Sequence, residues 1–169
     1  VKGMHEVRAE FPNARVLVVG PTPDSNQLPR DLSIIPLGPV HGDNELVKAY
    51  SAADVLAVPS REDNMPLTAM EAHMCGRPVV AFNIGGLSDI VQHGETGFLA
   101  SPLDPTDFSL GIIQALTDAH SLQEWGANAR QRAKNQWGYE AVAREYTFVY
   151  ERVLDSFDSS QHSDPGTSV

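Results

Sequence analysis

One short stretch, residues 59–72, combines acidic side chains with a predicted helix start and is the part of this sequence best suited to do chemistry. A carboxylate one turn inside a helix, here Glu71, accepts hydrogen bonds from the two hydroxyls of a ribose, as the acidic residue of dinucleotide-binding folds does. The free N–H groups at the helix start bind a diphosphate. Glu62 or Asp63, in the loop before the helix, would accept hydrogen bonds from sugar hydroxyls. The stretch is therefore able to bind a sugar, a phosphate and a ribose in order.

A purely structural interpretation of these residues stays open. An acidic loop before a helix ordinarily complements the helix dipole, and Glu71 would then be a solvated helical residue. Gly85 and Gly86, after a later strand, allow a backbone to approach a ligand closely, but paired glycines are equally typical of plain turns. His73 and Cys75 lie two apart on the predicted helix and face different directions, which disfavours a metal site.

Composition and missing fingerprints exclude several classes of protein. The 169-residue chain has a net charge of −10, which argues against a broad basic face that binds nucleic acid. The motifs G-x-G-x-x-G, G-x-x-x-x-G-K-[ST] and G-x-S-x-G do not occur, so nicotinamide, P-loop and serine-hydrolase functions have no support. The apolar runs are too short to span a membrane. The single cysteine fits a reducing compartment such as the cytoplasm.

Alternating strands and helices are predicted to position the acidic stretch. Strands are predicted at 15–20, 33–37, 54–58, 78–82 and 97–100, and helices at 43–53, 66–75 and 87–92. This order is typical of an α/β fold with a Rossmann-like parallel sheet and flanking helices. Ligands bind at the carboxyl ends of such strands, where the loops Gly20–Ser25, Pro59–Asn64 and Asn83–Gly86 would meet. On the helix from Pro66, an apolar face of Leu67, Met70 and Met74 is expected to pack on the sheet.

The chain beyond Asp104 is predicted to be all helical, with helices at 107–119, 121–135 and 138–157. The aromatic residues of this end are expected to pack in the core. Residues 1–157 would form one domain, and residues 158–169, rich in Ser and Asp, would form a disordered tail. Because the sequence begins with Val and in mid-helix, we expect the domain to be truncated at its N-terminus.

Several motifs in a fixed order resemble the C-terminal half of retaining GT-B glycosyltransferases, above all the group 1, or family 4, enzymes. They are ADVLAVPS (53–60), the acidic stretch that ends in Glu71-Ala72, CGRPVVA (75–81), GGLSDIV (85–91) and GETGFL (94–99). The resemblance implies a donor-binding domain whose parent enzyme transfers a sugar from a UDP-sugar or GDP-mannose type of donor to an acceptor, with retention at the anomeric carbon. It also implies that no metal cofactor is needed.

The resemblance further implies roles for individual residues. The family has two carboxylates separated by seven residues. These fall on Asp63, which would contact the transferred sugar, and Glu71, which would bind the nucleotide ribose. With Glu62 beside Asp63, the choice between these two for the sugar contact stays open. Pro66 stands where the family often has glycine and has no N–H to donate. The other implied donor-binding positions are Glu62, Asn64, Met65, Leu67, Thr68, Gly85, Gly86 and Val40.

The resemblance also implies that the chain is part of a larger enzyme. The Arg and Lys that compensate the diphosphate charge in this family have no counterpart here, and an N-terminal acceptor-binding domain would be missing. In this family that domain carries any surface for peripheral membrane association, and the last helix returns toward it. Alternative functions are a nucleotide-sugar-binding fragment that is inactive alone and a GT-B sugar epimerase. A non-enzymatic interaction domain would instead have no nucleotide affinity.

Overall fold

The computed structural model describes residues 3–21 and 29–161 of the chain. These residues form five strands and seven α-helices, with one short 3-10 helix at Arg30–Leu32, and strands and α-helices alternate between residues 34 and 117. The strands are β1 (Val16–Val19), β2 (Ile34–Gly38), β3 (Leu56–Val58), β4 (Val79–Phe82) and β5 (Gly97–Ala100). The helices are α1 (Met4–Glu10), α2 (Asp43–Ala52), α3 (Leu67–Met74), α4 (Leu87–Ile90), α5 (Pro105–Thr117), α6 (Ala119–Trp137) and α7 (Tyr139–Gln161). The predicted alternation of strands and helices is confirmed.

The strands form two parallel sheets within the described residues, where the sequence predicts one. β1 pairs with β2, and a register shift follows Val18. β4 lies between β3 and β5, with Ala81 opposite Val58 on one side and Leu99 on the other. In the described part of the chain, no strand of the first sheet is hydrogen-bonded to a strand of the second, so the two sheets are separate.

The core is built around the central strand β4, all of whose residues are buried. Phe82 of β4 packs against Phe108 of α5 with ring centroids 4.9 Å apart. Val7 of α1 and Ile112 of α5 belong to the same buried cluster. A strand buried along its whole length reads as a continuous apolar run, which explains why residues 79–82 carry no alternating polar pattern.

The chain divides into two compact units, Val1–Ala133 and Lys134–Val169. The first unit contains both sheets, and the second contains the end of α6 and all of α7. Trp125 is buried as expected, but Tyr139 is 97% exposed, and Tyr146, Phe148 and Tyr150 are exposed as well. The expectation that the aromatic residues pack in the core is therefore wrong for α7, because no described layer covers these side chains.

The helix α7 is longer than the sequence predicts. It continues to Gln161, so the first residues of the predicted disordered tail are helical, and residues 162–169 lie outside the described part of the chain. Neither α7 nor any other helix among the described residues has the length and apolar character needed to cross a bilayer.

Candidate functional site

The loops that follow β3 and β4 lie at the same edge of their sheet, since the two strands are parallel neighbours. The first of these loops contains residues 59–64 and the second contains residues 83–86. Of the third predicted loop, Gly20–Ser25, only Gly20 and Pro21 belong to the described residues. Val40 follows β2 at the carboxyl edge of the other sheet and is half-buried.

The paired glycines hold these two loops together. The amide of Gly86 donates a hydrogen bond to the carbonyl oxygen of Asp63 over 3.1 Å. A Cβ at Gly85 would collide with the Asp63 carbonyl, and a Cβ at Gly86 would collide with the carbonyl of Asn64. Gly85 also has a φ of +52°, which favours glycine. The glycine pair thus has a packing role, and its approach to a ligand stays a prediction.

The two neighbouring acids of the first loop differ in exposure. Asp63 is half-buried beneath the glycine loop, whereas Glu62 is exposed. Asn64 and Met65, which follow them, are exposed at the same loop. The second loop contacts Asp63 through the backbone, at its carbonyl oxygen.

The helix α3 begins immediately after this loop without a capping side chain. Pro66 is its N-cap residue, and no side chain bonds the first-turn amides. The backbone N–H groups of Leu67 and Thr68 are thus at an open helix start, and both side chains are exposed. Such a helix start attracts anions because its N–H groups and the helix dipole point outward.

The apolar face predicted for α3 is wrong for Leu67, whereas Met70 and Met74 are half-buried. Leu67 is 67% exposed, and the side chains that α3 buries are Ala69, Ala72 and His73. Small alanine side chains allow the helix backbone to lie close to the sheet, so they and not the larger Leu67 form the contact face. The helix ends as predicted at Gly76, which has a φ of +70°. Its amide bonds the His73 carbonyl over 2.9 Å, as in a Schellman motif.

Glu71 lies in the middle of α3 and accepts a hydrogen bond from Tyr50 on α2. The Tyr50 hydroxyl oxygen is 2.8 Å from Glu71 Oε2. Burial raises the pKa of Tyr50 above its ordinary value, and the bond to Glu71 raises it further. Tyr50 therefore stays protonated and donates. Sequence reasoning missed this residue, although a half-buried phenol hydroxyl generally needs a polar partner.

The described residues were compared with the side-chain clusters that ordinarily bind a metal ion. No three His, Cys, Asp or Glu side chains in this part of the chain converge closely enough to hold an ion. Cys75 is half-buried and its thiol pKa is raised mainly by burial, so it is a poor metal ligand at neutral pH.

The sequence profile of a family described as glycosyl transferases group 1 matches residues 1–118. The chain belongs to this family. This group 1 glycosyltransferase chain is similar to the D-inositol 3-phosphate glycosyltransferase of Gordonia bronchialis, with 32% identity over 167 residues, which cover 92% of this chain and 36% of that protein. It spans only 25% to 36% of the first curated relatives that it matches.

Solved structures of similar fold include a synthase and a protein solved with a sugar nucleotide. A sucrose-phosphate synthase from Thermosynechococcus elongatus is 29% identical with a TM-score of 0.72, and the match covers 92% of this chain and 43% of that one. The HepE protein of Anabaena, solved in complex with UDP-glucose, has a TM-score of 0.74 at 20% identity. That match covers 88% of the group 1 chain and 44% of HepE, and shows the fold alone.

Proposed function

We propose that this chain is the donor-binding domain of a glycosyltransferase that takes its sugar from a nucleoside diphosphate sugar. One observation supports the proposal. In this member of the group 1 family, the half-buried Asp63, the open start of α3 and Glu71 follow one another in the chain. This segment begins at the carboxyl edge of a parallel sheet. Ligands of open α/β sheets bind at this edge.

Each part of the segment has a role in the proposed complex. Glu71 accepts hydrogen bonds from the ribose hydroxyls. The amides of Leu67 and Thr68 bind the diphosphate. Asp63 faces the transferred sugar, because its position is fixed by the glycine loop whereas Glu62 is exposed. Asn64 and Met65 line the sugar side, and Val40 lies toward the base.

Sugar transfer breaks the bond between the anomeric carbon and the diphosphate oxygen and forms a bond from the same carbon to the oxygen of an acceptor hydroxyl, whose proton passes to the departing diphosphate. Negative charge grows on the departing diphosphate, and the open start of α3 stabilises it. Positive charge grows on the sugar ring, and the Asp63 carboxylate stabilises that charge. We propose retention of the anomeric configuration and catalysis without a resident metal, as the family resemblance implies.

A preceding acceptor-binding domain completes the proposed enzyme. The proposal is supported by the length of the curated relatives, of which this chain spans 36% or less, and by the exposed apolar side chains of α7, among them Val149, Val153 and Leu154. Such side chains ordinarily pack against a partner layer. A nucleotide-sugar-binding fragment without activity of its own is the second candidate, and the same observations favour it. A cytoplasmic location is proposed on the single cysteine.

Isothermal titration of the purified chain with UDP, GDP, UDP-glucose and GDP-mannose tests the proposal. We expect saturable binding of one nucleotide and its sugar, with the same affinity with and without magnesium. Glu71→Ala removes charge-assisted hydrogen bonds worth about 1.5–3 kcal/mol, so it should weaken that binding by about ten- to a hundredfold.

Glu124→Ala, which removes an exposed glutamate from α6, is the matched control and should leave the affinity unchanged. Circular dichroism confirms that each variant is folded. A folded wild-type chain that binds none of the four compounds, or binding that Glu71→Ala does not affect, would contradict the proposal.

A further inference from the structure

The hydrogen bond between Tyr50 and Glu71 joins two helices that are separated in sequence. Tyr50 lies in the last turn of α2, and Glu71 lies in α3, with β3 and the acidic loop between them. The helix α2 has no fully buried residue. The bond from the Tyr50 hydroxyl to Glu71 Oε2, at 2.8 Å, is therefore a defined polar link between α2 and α3.

This bond occupies only part of the carboxylate. An ionised carboxylate has two oxygens with about four lone-pair positions. Tyr50 occupies one position on Oε2, and no described residue donates a hydrogen bond to Oε1. A free Oε1 and the second lone pair of Oε2 leave room for the two neighbouring hydroxyls of a ribose.

We propose that Tyr50 is a positioning residue for ribose recognition, because it fixes the Glu71 carboxylate in the orientation that receives the 2′- and 3′-hydroxyls. The inference rests on the proposed role of Glu71. A flexible glutamate loses about 1.5–2 kcal/mol of side-chain conformational entropy when it is fixed. Tyr50 fixes the side chain before the ligand arrives, so binding no longer includes this cost.

The proposal predicts that Tyr50→Phe distinguishes less well between ribonucleotides and 2′-deoxyribonucleotides. Without the hydroxyl, Glu71 samples several rotamers, and the affinity for a ribonucleotide should fall by about three- to tenfold, the effect of one hydrogen bond. A 2′-deoxyribonucleotide makes fewer contacts with Glu71, so its affinity should fall less than that of the ribonucleotide. The ratio of the two dissociation constants should therefore move toward one.

The test measures the affinities of UDP and 2′-deoxy-UDP, and of GDP and 2′-deoxy-GDP, by calorimetry. They are measured for the wild-type chain, Tyr50→Phe, Glu71→Ala and the double variant. In the Glu71→Ala background Tyr50→Phe should have no further effect on the ratio, since Tyr50 acts through Glu71. Tyr139→Phe removes the same hydroxyl from an exposed position of α7 and should change nothing. A general loss of stability in Tyr50→Phe would lower both affinities together and leave the ratio unchanged.

The outcomes separate this inference from the proposed function. If the wild-type chain binds none of the nucleotides, the proposed function is wrong and the inference falls with it. If the wild-type chain prefers the ribonucleotide and Glu71→Ala abolishes that preference while Tyr50→Phe retains it in full, the function stands and the role of Tyr50 is overturned.

Discussion

The backbone amide of Gly86 donates a hydrogen bond to the carbonyl oxygen of Asp63, 3.1 Å away. This bond joins the loop after β4 to the loop after β3, directly beside the acid proposed to face the sugar. The space between the loops is too small for a side chain at position 85 or 86. The position of Asp63 is therefore set by two residues that have no functional group of their own.

Replacing Gly86 with alanine should displace the loop that carries Asp63. The new methyl group would collide with the carbonyl of Asn64, and such overpacking costs about 1–3 kcal/mol. We expect a lower unfolding temperature, read by circular dichroism, and a weaker affinity for the nucleotide sugar, read by calorimetry.

Gly94→Ala is the control for this variant. Gly94 has a φ of +78° with open space around the Cβ position, and it precedes β5 at the opposite edge of the sheet. Alanine there should destabilise the chain by about 1–2 kcal/mol through its backbone conformation alone and leave nucleotide-sugar affinity intact. Equal losses of affinity in both variants would show that Gly86 acts only through global stability.

The elements of the fold were predictable because their signals are local. An apolar run that ends at Gly20 predicts β1, short apolar runs predict β4 and β5, and the glycine at position 76 correctly predicts the end of α3. The division of the strands into two sheets was not predictable, since strand pairing depends on contacts between distant residues. The exposure of the α7 aromatic residues was missed for the same reason, because an apolar face does not reveal what covers it.

The candidate site was predictable in outline but not in its contacts. The order of Asp63, the helix start and Glu71 follows from the sequence. The bond from Tyr50 to Glu71 depends on how α2 docks beside α3. The stripe of larger apolar residues wrongly included Leu67 and missed the buried residues Ala69, Ala72 and His73. Hydrophobic periodicity is dominated by large apolar side chains, whereas the small side chains of Ala69 and Ala72 allow the helix backbone to lie closest to its neighbours.

Asp63→Ala should change sugar recognition and leave nucleotide recognition intact. If the Asp63 carboxylate accepts hydrogen bonds from the sugar, its removal costs about 1.5–3 kcal/mol of binding free energy. The affinity for the nucleotide sugar should then fall by about ten- to a hundredfold. The free nucleoside diphosphate should bind as before. Parallel titrations of both ligands against wild-type chain and variant measure the difference.

Glu62→Ala decides between the two neighbouring acids. Glu62 is exposed, and its removal should have less than a threefold effect on either ligand, as expected for a solvated surface charge. A large, sugar-specific loss in Glu62→Ala together with a normal Asp63→Ala would assign the sugar contact to Glu62.

Asp104 should stabilise the chain through the start of α5. Its Oδ1 accepts hydrogen bonds from the amides of Thr106 at 2.9 Å and Asp107 at 3.2 Å. The helix it caps contributes Phe108 and Ile112 to the core. Loss of an N-cap costs about 1 kcal/mol, so Asp104→Ala should lower the free energy of unfolding by that amount in urea denaturation. Asp104→Asn keeps the acceptor oxygen and should stay close to wild type. Equal losses in the two variants would rule out the capping role.

His73 should make the chain less stable in mild acid. It is completely buried in α3, and burial lowers the pKa of its imidazole to about 4, partly offset by a hydrogen bond with the Thr96 backbone. The unfolded chain, with an ordinary histidine pKa of about 6.5, binds this proton first. Between these two values the unfolded state holds more protons, so stability falls as the pH decreases from about 6.5 to about 4 and changes no further below that through this group.

The size of the effect follows from the two pKa values. Lowering the pH from 7 to 5 should decrease the contribution of His73 to the free energy of unfolding by about 2 kcal/mol. Urea denaturation at both pH values measures it, and His73→Gln should remove this dependence whatever it does to stability at pH 7. His120→Gln, which changes an exposed histidine, should preserve the dependence. Since Ala69, Ala72 and His73 together form the buried face of α3, acid unfolding should also release the helix that carries Glu71. Nucleotide binding should therefore be lost over the same pH range as the fold.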